Sequence, residues 1–94
     1  FDISEIHKYQ KKVDGWSIEN NDKKIFYLTK YFKFKNFEES QSFVNKVGNL
    51  AEEENHHPDI SFGWGYCKVK IFTHAIQGLA ESDFILAAKI DKIN

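Results

Sequence analysis

The sequence predicts an α+β domain: a four-stranded antiparallel sheet with three helices packed on one face, in the order α-β-β-α-β-β-α. Three observations lead there. Segments that alternate apolar and polar side chains, or are rich in β-branched and aromatic ones, come in two neighbouring pairs, the pattern of hairpins rather than of parallel crossovers. Segments with helical spacing or composition stand before, between and after those pairs. No internal repeat, low-complexity tract or Pro/Gly/Ser linker divides the 94 residues, so residues 1–94 read as a single domain.

In order, Ser4 to Val13 opens on a candidate N-cap serine and spaces Ile6, Tyr9 and Val13 as a short helix that Gly15 ends. Trp16-Ser17-Ile18 alternates as a strand, Asn20-Asn21-Asp22 supplies turn chemistry, and Lys24 to Phe34 pairs back as a second strand. Asn36 followed by Glu39 has the spacing of a capping box. Phe43, Val44, Val47, Leu50 and Ala51 then form the apolar stripe of a second helix, which Gly48 weakens but does not end before about Glu54.

Ile60, Phe62 and Trp64 alternate with Ser61, Gly63 and Gly65, and Val69, Ile71 and Thr73 with Lys68, Lys70, Phe72 and His74. Between them Gly65-Tyr66 fits a type II′ turn with glycine first. That register sets Trp64 opposite Cys67, Phe62 opposite Val69 and Ile60 opposite Ile71, all six on the core face. Ser82 to Ile93 has the composition of a last helix.

Thirteen basic residues against fourteen acidic ones leave a net charge of -1, which gives no electrostatic footprint for nucleic acid. No apolar run approaches the ~20 residues of a membrane span. Phe1 to Glu5 shows no basic-then-apolar leader pattern. The single cysteine, Cys67, has no partner for a disulfide or a Cys-x-x-Cys pair, which fits a reducing, cytoplasmic compartment and a buried strand position.

The histidines carry the chemistry. Extending the same register places His57 opposite His74, on the face that also holds Lys68, Lys70 and Phe72, and a bend before Pro58 would bring His56 to the same cleft, near Glu52, Glu53 and Glu54 at the end of the second helix. Imidazole titrates near neutrality, so His56, His57 and His74 are the candidate acid-base residues. An exposed His-His-Pro also fits an ordinary solvated loop. Zinc is the rival ligand for this set, but adjacent histidines suit one metal poorly and no His-x-x-x-His or cysteine pair reinforces it, so no metal is expected. His7, among Lys8, Lys11 and Lys12, reads as a surface residue.

One pattern joins these residues: Glu52, three spacers, His56-His57-Pro58, five spacers, Trp64, nine spacers, His74, then Asp83. In this the chain resembles the pterin-4a-carbinolamine dehydratase family, also known as the dimerization cofactor of a homeodomain transcription factor. The resemblance implies dehydration of 4a-hydroxytetrahydrobiopterin to the quinonoid dihydropterin, in support of tetrahydrobiopterin recycling, without a cofactor. It gives His56 and His74 the acid and base roles. His57, Glu52 and Asp59 become the substrate contacts, with Glu52 also orienting a histidine. Trp64 is expected to pack in the core, and Asp83 to be a helix N-terminal charge rather than a catalyst. Asn55 stands where relatives often carry an acid. Ala80 stands where they carry a capping Ser or Thr, which moves the expected cap to Ser82.

The same resemblance implies a homodimer or homotetramer, and an alternative role as a binding module that steadies a transcription factor through the second helix, with a nuclear location. The outward residues of that helix, Glu38, Glu39, Ser42, Asn45 and Lys46, read instead as a solvated face, which favours the dehydratase.

Overall fold

The computed structural model describes residues 15–21, 23, 25–73 and 78–93. The predicted helix at Ser4 to Val13 lies outside the described residues, and so does His74. Within them the chain runs β1 (Ser17–Asn20), β2 (Phe26–Lys33), α1 (Phe37–Glu54), β3 (Asp59–Gly63), β4 (Tyr66–Ile71) and α2 (Glu81–Ile93). Two helices are therefore seen among the described residues rather than three; α1 and α2 are the second and third of the sequence reading. The sheet is antiparallel throughout, in the order β1-β2-β4-β3.

Local chemistry sets the boundaries. The Asn21 side chain accepts the N–H groups of Lys23 at 2.9 Å and Ile25 at 3.0 Å, closing the β1–β2 turn. At the start of α1 the Asn36 side chain accepts the Glu39 N–H at 2.9 Å, and the Glu39 carboxylate reaches back to the Lys35 N–H at 2.9 Å, one residue before the box proper. Strand alternation puts Leu28, Phe32, Cys67, Val69 and Ile71 on one face, where they are buried with Phe43 and Val47 of α1 and Phe84, Leu86, Ala87 and Ile90 of α2. Each fully buried large aliphatic side chain contributes about 1.5–3 kcal/mol. The other face carries Tyr31 stacked on Tyr66, ring centroids 5.6 Å apart, and Lys70 over the Tyr27 ring.

The second hairpin differs from expectation by two residues. Gly63 faces Tyr66, Phe62 faces Cys67, Ile60 faces Val69 and Asp59 faces Lys70, so Trp64-Gly65 is the loop and glycine is its second residue. Gly65 holds φ at +80° and its carbonyl accepts the Phe34 N–H at 2.8 Å, which ties the loop to the end of β2. A Cβ on Gly63 would come within 2.7 Å of the Tyr66 ring, so the ring packs over Gly63 in this register and a larger residue there would have to displace it. A shift of two preserves the faces, and Ile60 and Phe62 still point toward the helices. It moves Trp64 out of the core to the hairpin tip, where it is 70% exposed. The ladder stops at Asp59–Lys70, and its register would set position 57 across from Phe72 rather than from position 74.

Candidate active site

The carboxyl end of α1 is where the sequence turns chemical. Asn55 adopts the left-handed conformation, φ 51° and ψ 42°. Its N–H donates to the Glu52 carbonyl at 3.3 Å, and the His56 N–H to the Ala51 carbonyl at 3.1 Å, the paired bonds of a Schellman motif. Asparagine tolerates that conformation better than most residues, which accounts for Asn55 where an acid was expected from the family pattern. The reversal, set at Asn55 rather than at the bend foreseen before Pro58, sends two consecutive histidines to different surroundings.

His57 stays at the surface. Its Nε2 lies 2.5 Å from a Glu52 carboxylate oxygen, with side chains 58% and 77% exposed. His56 turns inward, and its Nε2 lies 2.6 Å from Oδ1 of Asp83, with side chains 18% and 0% exposed. The other oxygen of Asp83 accepts the Thr73 hydroxyl at 2.8 Å and the Ala80 N–H at 2.7 Å. Asp83 therefore closes half of a capping box on α2, whose cap residue is Ala80 rather than the expected Ser82. It is also a hub of three hydrogen bonds, a larger part than the helix-end charge read from the sequence.

The rest of α2 holds this carboxylate in place. At its far end Asp91 accepts the Trp16 indole N–H at 3.1 Å and the Lys30 ammonium at 2.8 Å, and Lys89 pairs with Glu54 of α1. Thr73 comes from the segment after β4, on the helix-facing side that Val69 and Ile71 also use. Its N–H and carbonyl both bond to Gly78, at 2.7 and 3.3 Å. The residue just before His74 is thus joined to the carboxylate that holds His56.

The structure brings together His56, Asp83 and Thr73, and separately His57 and Glu52. The site stands on the helix side of the sheet, between the end of α1 and the start of α2, rather than on the face of Lys68 and Lys70. Asp59 opens β3 opposite Lys70, exposed and on that other face, so it is not joined to either pair. Among the described residues no group of three or more His, Cys, Asp and Glu is arranged to hold a metal ion. Cys67 is buried, and burial pushes its thiol up to about 11, leaving little thiolate at neutral pH to act as a nucleophile. The sequence reading passed over Thr73. Its polar hydroxyl at a core-facing strand position was the available signal.

With Asp83 ionised, the proton on its contact with His56 sits on Nε2, which leaves Nδ1 as the second nitrogen of the ring. A buried carboxylate behind an imidazole fixes the tautomer and stabilises the charged ring once it takes a proton.

A family model described as Pterin 4 alpha carbinolamine dehydratase matches residues 1–93. A protein of Rubrobacter xylanophilus named for pterin-4-alpha-carbinolamine dehydratase is 47% identical over 89 residues, covering 95% of this chain and 79% of that one. One of Halorhodospira halophila named in the same terms is 50% identical over 82 residues, covering 87% and 72%. Among solved structures, a transcriptional coactivator/pterin dehydratase from Brucella melitensis superposes with a TM-score of 0.86 at 29% identity, covering 99% of this chain and 96% of that one. A pterin dehydratase-like RuBisCO assembly factor of the alpha-carboxysome shares the fold, with a TM-score of 0.70 at 24% identity and coverage of 84% and 88%. The two sequence relatives are bacterial, which lends no support to the nuclear location. Among the described residues no helix is long and apolar enough to cross a membrane.

Proposed function

This chain belongs to the pterin 4 alpha carbinolamine dehydratase family, a family of hydro-lyases, and we propose that His56 and His74 carry out its dehydration by moving protons. The reaction breaks the C4a–OH bond of the carbinolamine. One imidazolium protonates the departing hydroxyl, a second, neutral imidazole takes the proton from the ring nitrogen, and water and the quinonoid dihydropterin leave with all atoms accounted for. Neither step demands more than two imidazoles of opposite protonation.

The observation that supports this assignment is the chain of bonds from His56 through Asp83 to Thr73, which ends one residue from His74. His57, held at the surface by Glu52, is proposed to bind the pterin together with Glu52, while Asp59, on the other face of the sheet, is given no part in that contact. The product serves tetrahydrobiopterin recycling. Assembly into a homodimer or homotetramer belongs to the same proposal, and β3, an edge strand among the described residues, with exposed Phe62 and Trp64 beside it, supports that assembly. A partner-binding role through α1 has less support, because Glu38, Glu39, Ser42, Asn45 and Lys46 are all exposed and polar.

The test is dehydration of synthetic pterin-4a-carbinolamine by the wild type, His56→Ala and His74→Ala. Each substitution should slow turnover by about 10²–10⁴-fold. Rates equal to wild type in either variant would remove that histidine from the mechanism.

A further inference from the structure

The Asp83 carboxylate must point one oxygen at His56 while sitting in a site from which water is excluded. A carboxyl group turns easily about its last torsion, which is broad and two-fold, so neighbours must fix its plane. Three donors surround it. The Ala80 N–H is set by the start of α2, and the His56 ring is the group being positioned. That leaves the Thr73 hydroxyl, 2.8 Å from Oδ2, as the side chain that locks the plane. A valine would fill the same space on this helix-facing side. The hydroxyl is therefore the informative feature, since its one strong bond in the structure goes to this carboxylate.

We propose that Thr73 is a positioning residue for the dehydration: its hydroxyl fixes the direction of the Asp83 carboxylate and, through it, the ring orientation and tautomer of His56. The Thr73 backbone is held on both sides by Gly78, so the hydroxyl is delivered from a fixed point. Two ion pairs on the adjoining elements, Glu52 with His57 and Glu54 with Lys89, form without Asp83. Without the hydroxyl, Asp83 keeps the Ala80 N–H but loses the second donor on that oxygen. The carboxylate then rotates, and His56 samples the tautomer with its proton on Nδ1. Because Thr73 leads directly into His74, one hydroxyl also ties together the segments that carry the two proposed proton carriers.

The kinetic part of this inference rests on the dehydratase reading; the spectroscopic part does not. Long-range ¹H–¹⁵N spectra of histidine-labelled protein report the tautomer of each ring without substrate. In the wild type and Thr73→Ser, His56 should show the Nε2–H form. In Thr73→Val a mixture with Nδ1–H should appear, while His57 is unchanged. Turnover in Thr73→Val should fall about ten-fold or more with KM within about two-fold, the fold-change equivalent to one lost hydrogen bond to a charged group, and Thr73→Ser should recover most of it.

A folded Thr73→Val protein with the wild-type His56 spectrum overturns the proposal, whether or not its turnover falls, because a loss without a tautomer change is only structural. If Thr73→Val does not fold, Thr73→Ala is compared with Thr73→Ser, and identical His56 spectra in those two overturn it equally. If the wild type dehydrates nothing, the functional reading fails while the spectra still decide the role of Thr73.

Discussion

His56 and His57 are neighbours in the chain, and each presents Nε2 to a carboxylate at nearly the same distance, 2.6 and 2.5 Å. Their environments make them different devices. The His57–Glu52 pair lies in water, where solvent screens the charges and both side chains lose entropy to stay together, so its net worth is small. The His56–Asp83 pair is enclosed, and its acceptor has two further donors that would be left unsatisfied without it. The difference teaches that the contact itself says little. What surrounds the carboxylate decides whether it merely touches an imidazole or sets its protonation.

The largest effect that comparison predicts is at Asp83. Asp83→Ala strands the Thr73 hydroxyl and the Ala80 N–H in a buried site and removes the partner of a mostly buried imidazole. Breaking such a pair costs about 3–5 kcal/mol. Urea unfolding should show a lower midpoint with little change in slope. Asp83→Asn keeps the shape and isolates the chemistry. Its turnover should fall by up to about 10⁴-fold, the cost of the same change behind an acid-base histidine that depends on its carboxylate for the tautomer. An Asp83→Ala protein as stable as wild type would mean that the enclosed pair is no stronger than the exposed one, and the comparison would collapse.

Much of this architecture was legible in the sequence, and the reasons are physical. The capping pattern at Asn36 and Glu39 and the strand alternation are local signals, and the structure reproduces both. The hairpin register was legible only to within two residues. Face parity survives a shift of two, whereas choosing between Gly65 as first or second loop residue depends on Tyr66 packing over Gly63 and on the bond to Phe34, neither of which is local. At the candidate site the pairing of Glu52 with a histidine was expected and is found at His57, whereas the partner of His56 was not foreseen. Asp83 lies 27 residues from His56, and nothing in its neighbourhood marks it as the buried partner rather than a helix-end charge. Trp64 shows the limit from the other side, because its apolar character suggested the core while its place at the loop tip exposes it.

A middle-sized effect sharpens the comparison by asking what separates the two rings. Asn55, with φ at 51°, makes the reversal that sends His56 inward and leaves His57 outside. Asn55→Gly should be stable to within a few tenths of a kcal/mol, whereas Asn55→Ala should lose about 1 kcal/mol, because a Cβ without a polar end is strained in that region. Thermal melts of both variants measure this. Asn55→Ala should also lose activity out of proportion to its stability, because relaxing the turn moves both histidines. Equal stability of the two variants would show that some other contact holds the reversal.

The smallest effect belongs to the exposed pair. Glu52→Gln keeps a hydrogen-bonding group of the same size beside His57 and removes only a charge already facing water. Stability should change by less than about 0.5 kcal/mol, and that small change should shrink further in concentrated salt. If Glu52 helps His57 bind the pterin, the loss should appear in KM with kcat nearly unchanged, the opposite of what Asp83→Asn should give. A Glu52→Gln enzyme whose kcat fell as far as that of Asp83→Asn would place a proton-transfer role on His57, and the buried histidine would no longer be the one that its surroundings single out.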